Sequence, residues 1–234
     1  MAAHAEPRTE ARVPLSKERV LGAAVKLADE GGIDALTMRN LAHALGVEAM
    51  SLYYHVANKD EVLDGIAEVI LGEIHDVVST IEGPPGGVDW KTAMRQRILS
   101  ARQVLLRHPW AAGVIETRTA MSLEAVKYFD EVLGLFRAGG FSYDMAHHAM
   151  HALGSRALGF TQELFEPDNA DAGDEQATAM LEQMADKIPH IVEMLMEVSH
   201  GDPESTLGWC DDQVEFEFGL DLILDGLERL RQTS

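Results

Sequence analysis

The sequence predicts an all-α protein with an N-terminal three-helix unit, organised as a helix-turn-helix, and a larger C-terminal helical bundle. Apolar residues recur at helical spacing along most of the 234 residues, whereas strand signals are few. Glycines and prolines interrupt that periodicity, most clearly in the Gly-Pro-Pro-Gly-Gly run at 83–87. We therefore predict a flexible polar tail over residues 1–14, a small domain over 15–61 and a large domain over 62–234.

Residues suited to helix ends set the limits of the first helices. Ser16 is placed to cap a helix that ends at the glycine pair 31–32, and Thr37 is placed to cap a second helix that ends at Gly46. A short third helix follows to about residue 55. Asn58, with a glutamate three residues later, has the spacing of a capping box and predicts a long fourth helix.

Beyond the break at 83–87, helical periodicity continues. It predicts helices over residues 89–107, 109–117, 123–138, 143–165 and 175–198, the last with a bend at Pro189. An acidic, apolar-poor stretch at 166–176 and a stretch at 200–212 are predicted as loops.

The segment 213–231 is ambiguous. Apolar residues alternate over 214–222, as in a strand, but the length of the segment and the continued spacing of Ile223, Leu227 and Leu230 favour a helix. Such a helix has two apolar sides, so two surfaces have to be buried at once. A core on one side and a partner subunit on the other would bury both.

Charge is distributed unevenly along the chain. The net charge is −20, yet residues 1–61 hold seven Lys/Arg and nine Asp/Glu, which leaves a strongly acidic remainder. Repulsion keeps the acidic part away from phosphate, so the N-terminal part is the surface suited to nucleic acid. A single cysteine, Cys210, rules out an intrachain disulfide. With no membrane span or signal-peptide run in the sequence, we expect a soluble, cytoplasmic protein.

The run from 37 to 55 has the spacing of a helix-turn-helix. Ala42 is small where two helices must approach closely, Gly46 suits the positive φ of a tight turn, and Leu52 is apolar where the pair rests on a core. A helical hairpin packed only for stability has the same spacing, with Tyr53 and Tyr54 as half-buried core residues.

If this unit binds DNA, its exposed side chains are suited to the contacts. Hydroxyl and basic groups can donate to phosphate or to a guanine edge, and small apolar groups can meet thymine methyls. The predicted contact set is Thr37, Arg39, Ala49, Met50, Ser51, Tyr53, Tyr54, His55 and Lys59.

Residues 16–66 closely resemble the leading signature of the TetR family of transcriptional repressors. The resemblance runs without a gap through Leu36-Thr37-Met38-Arg39, Leu45-Gly46-Val47, Leu52-Tyr53-Tyr54-His55-Val56, Asn58-Lys59 and Leu63-Asp64. The C-terminal part is similar to the tetracycline-repressor branch at 138–142, 158–159, 218–220 and 226–228. The resemblance implies a homodimer that binds a double-stranded palindromic DNA operator and is released by a small-molecule inducer. It also implies dimerisation through the helices 143–165 and 213–231, in agreement with the two apolar sides of the latter.

The resemblance further implies a ligand pocket in the C-terminal bundle. In tetracycline repressors a pocket His, together with a metal-binding His and Glu, holds a drug–magnesium chelate. The pocket His falls on His75 and the Glu on Glu163, but the metal-binding His falls on Ile115 or Glu116. We therefore expect ligand binding without a metal or another cofactor. The predicted ligand residues are His75, Trp110, Glu116, Phe160 and Glu163, and further candidates on central helices are His108, Arg118 and Arg156.

Two other classes of function are less well supported. An all-α enzyme would need convergent acid, base or nucleophilic groups, and the sequence has no nucleophile elbow, P-loop, dinucleotide fingerprint or zinc motif. An interaction module that has lost DNA binding would fit the acidic charge, although Arg39 and Lys59 remain. His147 and His151 share a helical face, as two metal ligands or as two polar residues of an interface helix.

Overall fold

The computed structural model describes residues 14–84, 88–118, 123–159, 186–190, 192–193 and 212–233, and within these ranges there are helices and no strands. The prediction of an all-α fold is confirmed. The helices belong to two compact units, Met1–Ala138 and Gly139–Ser234. None of the described helices is long and apolar enough to cross a membrane.

The first unit contains α1 (Lys17–Ala35), α2 (Met38–Leu45), α3 (Ala49–Leu52), α4 (Lys59–Val78), α5 (Trp90–Arg107), α6 (Ala111–Thr117) and α7 (Leu123–Ala138). The second unit contains, among its described residues, α8 (Tyr143–Gly159) and α9 (Asp212–Thr233). Residues 160–165 of the predicted 143–165 helix lie outside the described residues, as do 166–176 and 200–211, for which loops were predicted.

Side-chain caps begin the helices as predicted. Ser16, Thr37 and Asn58 each accept a hydrogen bond from a backbone N–H three residues later, at 3.3, 3.1 and 2.9 Å respectively. Asp89 caps α5 in the same way, with bonds from two backbone N–H groups. These bonds satisfy amides that would otherwise have no partner in the first turn.

Several predicted limits were wrong. The first helix breaks at Gly32, where φ is 74°, as predicted, but helical residues that were not predicted resume as far as Ala35. The third helix ends at Leu52 instead of about residue 55, because residues 53–55 form a turn. The helix predicted over 109–117 begins at Ala111.

The chain is not a continuous helix at Pro189. Residues 186–187 form a turn and Ile188 is not helical, so Pro189 is the first helical residue after an interruption of the helix predicted over 175–198. Proline has no backbone N–H and a fixed φ, which suits the first position of a helix. The rest of the predicted 175–198 helix lies outside the described residues, apart from 192–193.

The ambiguous C-terminal segment is the helix α9, and it has two apolar sides. One row of side chains is buried: Phe216, Leu220, Leu224 and Leu227. A second row is more than half exposed: Val214, Phe218, Leu222 and Leu230. The buried row belongs to the packing of α9 against α8.

Helix α4 is the central element of the first unit, since it packs against α1, α5, α6 and α7. Gly65 allows the closest approach: a Cβ there would lie 2.5 Å from the Leu21 Cδ2 of α1. The helix-turn-helix unit is thus packed, through α1, on a helix that also contacts α5, α6 and α7.

Candidate nucleic-acid interface and ligand site

The tight turn between α2 and α3 holds two short helices together. Gly46 adopts the left-handed conformation, with φ 66°, and its N–H bonds to the His43 carbonyl oxygen at 3.1 Å. Leu41 and Leu52 are fully buried, and Ala42 is nearly so. This is the geometry of a helix-turn-helix resting on α1.

A cluster of large side chains next to α3 is exposed. Met50 is 72% exposed, Tyr53 45% and Tyr54 88%. The alternative of half-buried core tyrosines is therefore wrong for Tyr54, whereas Tyr53 is about half-exposed. An exposed apolar cluster contributes little to the fold, and such surfaces are typical of binding sites.

The remaining predicted DNA contacts surround this cluster. Arg39 near the start of α2 and Lys59 at the start of α4 are exposed, as is Thr37, whose hydroxyl oxygen caps α2. Ala49, Ser51 and His55 are partly exposed. Every residue of the predicted DNA-contact set is therefore at least partly exposed to solvent.

An ion pair joins the start of α1 to the start of α4. Lys17 Nζ lies 2.8 Å from Glu61 Oε1, and Glu61 also accepts a hydrogen bond from the Ala57 backbone N–H at 2.7 Å. The bond to Glu61 raises the pKa of Lys17. The Ala57 amide and then Lys17 lower the pKa of Glu61.

Asp29 of α1 is the centre of a second junction. Its Oδ1 accepts a hydrogen bond from Trp110 Nε1 at 2.7 Å and lies 2.7 Å from His108 Nδ1. The other ring nitrogen of His108 lies 3.4 Å from Glu73 on α4, and Arg107 pairs with that same carboxylate at 3.3 Å. We call these five residues the Asp29 junction; it connects α1 and α4 to the segment between α5 and α6.

The predicted ligand residues lie in different surroundings. His75 is partly exposed and pairs with Glu131 of α7 at 3.6 Å, whereas Trp110 is buried and bonds to α1. Glu116 is exposed. Phe160 and Glu163 lie outside the described residues.

Two further candidate ligand residues, Arg118 and Arg156, form polar contacts within their own compact units. Arg118, at the end of α6, lies 3.2 Å from Asp64 of α4. Arg156 of α8 donates to the Glu215 carbonyl oxygen of α9 and lies over the Phe216 ring.

The resemblance places either Ile115 or Glu116 at the metal-binding His of tetracycline repressors, and neither is a histidine. Glu116 is exposed. In the described part of the chain, no group of three or more His, Cys, Asp or Glu side chains is placed to hold a metal ion. His147 and His151 contact each other, with ring centroids 4.6 Å apart.

Sequence reasoning missed Arg97, which lies in the apolar row of α5. Ala93, Ala101 and Val104 of that row are buried, and Arg97 occupies the position between them. Its Nη2 donates to the Ile81 carbonyl oxygen at 3.3 Å, while its Nε and Nη1 are buried without a hydrogen-bond partner. A charged residue in an apolar row is the signal that could have identified it.

The three-helix unit, with its exposed cluster next to α3, defines a helix-turn-helix DNA-binding protein. Residues 20–66 match the model described as "Bacterial regulatory proteins, tetR family", and residues 83–231 match "Tetracyclin repressor-like, C-terminal domain". The chain belongs to the TetR family and is a transcriptional regulator.

Curated proteins and solved structures agree with this assignment. The chain is 30% identical over 222 residues to the tetracycline repressor protein class C of Escherichia coli, covering 94% of both chains. A possible TetR family regulator from Streptomyces coelicolor A3(2) matches with a TM-score of 0.72 at 29% identity, covering 92% of this chain and 100% of that one. ActR of Streptomyces coelicolor in complex with actinorhodin matches with a TM-score of 0.72 at 26% identity, covering 94% and 99%.

Proposed function

We propose that this protein is a homodimeric cytoplasmic repressor that binds a palindromic DNA operator and is released by a small-molecule inducer. Residues 15–61 bind the DNA, residues 62–234 bind the inducer and dimerise, and residues 1–14 form a tail. The observation that carries the proposal is the exposure of Met50, Tyr53 and Tyr54 on a helix-turn-helix. The complex of its relative ActR with actinorhodin supports control by a small molecule.

The exposed apolar row of α9 supports the dimer. Val214, Phe218 and Leu222 follow one another at four-residue spacing and are each more than half exposed. A second copy of the same helix would cover this row, as in a two-fold interface where the same surface meets itself. A two-fold dimer reads two half-sites about one helical turn apart, roughly 34–36 Å.

The switch acts through α4. This helix has 20 residues, so at ~1.5 Å rise per residue it spans about 30 Å from Lys59 to Val78. A ligand that favours one tilt of α4 changes the separation of the two recognition helices. Only the difference in its affinity for the two states can supply this shift.

Selection from a pool of random duplexes tests the proposal. The selected DNA is expected to contain two inverted half-sites and to bind two chains in a mobility-shift assay. Tyr54→Ala should weaken that binding about tenfold without lowering the unfolding temperature, because Tyr54 is 88% exposed. Leu106→Ala, a change at a half-exposed residue of α5, is the control and should leave DNA binding unchanged. Failure to enrich any duplex would overturn the proposal.

A further inference from the structure

Arg97 of α5 has two buried side-chain nitrogens without a hydrogen-bond partner, more than any other described residue. It lies in the buried row of α5, yet of its side-chain nitrogens only Nη2 has a hydrogen-bond partner among the described residues, the Ile81 carbonyl oxygen. Its Nε and Nη1 are buried and unsatisfied. Buried polar groups in proteins almost always have partners, and an uncompensated buried charge is costly.

Arg97 of α5 lies close enough to Tyr128 of α7 for its charge to act on the tyrosine hydroxyl. Burial raises the pKa of the Tyr128 hydroxyl on α7, and the charge of Arg97 opposes that rise, so the two groups are electrostatically coupled. On the same two helices, Trp90 packs against Phe136 with ring centroids 6.0 Å apart. The charge of Glu131 also raises the pKa of Tyr128, and Glu131 pairs with His75 at 3.6 Å.

We propose that the ligand of this regulator is an organic acid, and that Arg97, assisted by Tyr128, binds its anionic oxygen group. This inference rests on the proposed control by a small molecule and specifies the chemical class of that molecule. A carboxylate or an acidic phenol on an apolar scaffold would occupy the free Nε and Nη1 donors, and the planar guanidinium is suited to two parallel bonds.

The charge of the whole chain does not attract an acidic ligand, so a local cation has to do so. With a net charge of −20, the protein repels anions at long range. A buried guanidinium supplies a local attraction that is little screened by salt. An acid would therefore be held by a short-range contact at Arg97.

The experiment uses full-length protein without DNA and a matched pair of probes, 2-naphthoate and its neutral amide 2-naphthamide. The wild-type protein should bind the acid about 10- to 100-fold more tightly than the amide in a calorimetric titration, as expected for one or two charge-assisted hydrogen bonds. Arg97→Met should remove this preference. Arg95→Met makes the same charge change on the other side of α5 and should retain it.

Two further measurements separate ligand binding from a structural role. Without ligand, Arg97→Met should unfold at the same temperature as wild type or higher, because it replaces an incompletely paired buried charge by an apolar chain. Tyr128→Phe keeps the ring and should reduce the preference for the acid several-fold.

The proposal is overturned if neither probe binds, if acid and amide bind equally, if the preference survives Arg97→Met, or if that variant unfolds at a lower temperature than Arg95→Met. Since no DNA is present, these results do not depend on the operator. Selective acid binding together with a failed duplex selection would sustain the ligand class and reject only the repressor function.

Discussion

At the scale of single residues, Asp29 holds together parts of the chain that are distant in sequence. Its carboxylate bonds to His108 and Trp110, which lie 79 and 81 positions further on. Both partners are buried, so water could not easily take the place of the carboxylate if Asp29 were removed. The contribution of Asp29 therefore comes from the partners that it satisfies.

We expect Asp29→Ala to lower the free energy of unfolding by about 1–3 kcal/mol, the cost of leaving buried donors unsatisfied. Urea unfolding followed by circular dichroism would measure the change. Asp34→Ala is the control, because Asp34 is an exposed residue of the same helix. Equal stability of the two variants would show that the junction contributes nothing to the fold.

Gly219 is a second position at which the fold requires a particular residue, here for a steric reason. A Cβ at this position of α9 would lie 2.6 Å from Nη2 of Arg156 and 2.7 Å from its Cζ. The guanidinium cannot easily move away, because it donates to the Glu215 carbonyl oxygen and lies over the Phe216 ring, 5.2 Å from the centroid. Gly219 thus lets α9 pass close to an arginine of α8.

We expect Gly219→Ala to destabilise the protein by about 1 kcal/mol, although alanine is the better helix former. Gly22→Ala should instead stabilise it by about 0.5–1 kcal/mol, since nothing lies within 4 Å of a Cβ there. Thermal unfolding of the two variants compares a crowded glycine with an open one. A stabilised Gly219→Ala would mean that Arg156 moves without cost.

At the scale of helices, α9 exposes a row of apolar side chains in addition to its buried row. If this row is the dimer interface, one charge in its middle should separate the subunits, because an unpaired buried charge is poorly tolerated. We expect wild-type protein to sediment at about twice the chain mass of 25.6 kDa. Phe218→Lys should sediment as a monomer at the same micromolar concentration.

The control for this experiment is Leu106→Lys, which adds the same charge at an apolar side chain of α5 that is 50% exposed. It should remain dimeric. A dimeric Phe218→Lys protein would place the interface elsewhere.

At the scale of the whole molecule, the charge distribution controls how the protein meets DNA. Outside residues 1–61 there are twelve Lys/Arg against thirty Asp/Glu, so few cations are available for phosphate contacts. Each of these contacts then contributes a large share of the electrostatic attraction, which falls as salt rises.

Removing one such cation should be visible in the salt dependence. Lys59→Ala should weaken binding to all duplexes and reduce the slope of log K against log[salt] by about one unit. Lys127→Ala, on α7, removes the same charge outside the helix-turn-helix and should leave the slope unchanged. An unaltered slope for Lys59→Ala would exclude its contact with phosphate.

The local features of this fold could be predicted from the sequence. The caps at Ser16, Thr37 and Asn58 depend on residues three positions apart, so they can be read without knowledge of tertiary contacts. The break at Gly32 was placed correctly, but the helical turn after it was not, because the preference for that turn is weak and packing decides it.

Features that depend on distant partners were missed. Trp110 was predicted to bind a ligand, and nothing near it in sequence indicates its bond to Asp29. Arg97 is visible in the sequence as a charge in an apolar row, but only the folded chain reveals that two of its nitrogens lack partners. The predicted DNA contacts and ligand residues remain predictions, and the experiments above test them.

The indole of Trp110 has a spectroscopic consequence. Its N–H donates to the Asp29 carboxylate, and its ring is largely shielded from solvent. Indole emission shifts in wavelength when a neighbouring charge or hydrogen bond changes, so this side chain is a natural optical probe located where the DNA-binding helices meet the rest of the first unit. Any rearrangement at that position would change the intrinsic fluorescence of the protein, and the change could be followed in real time without a label.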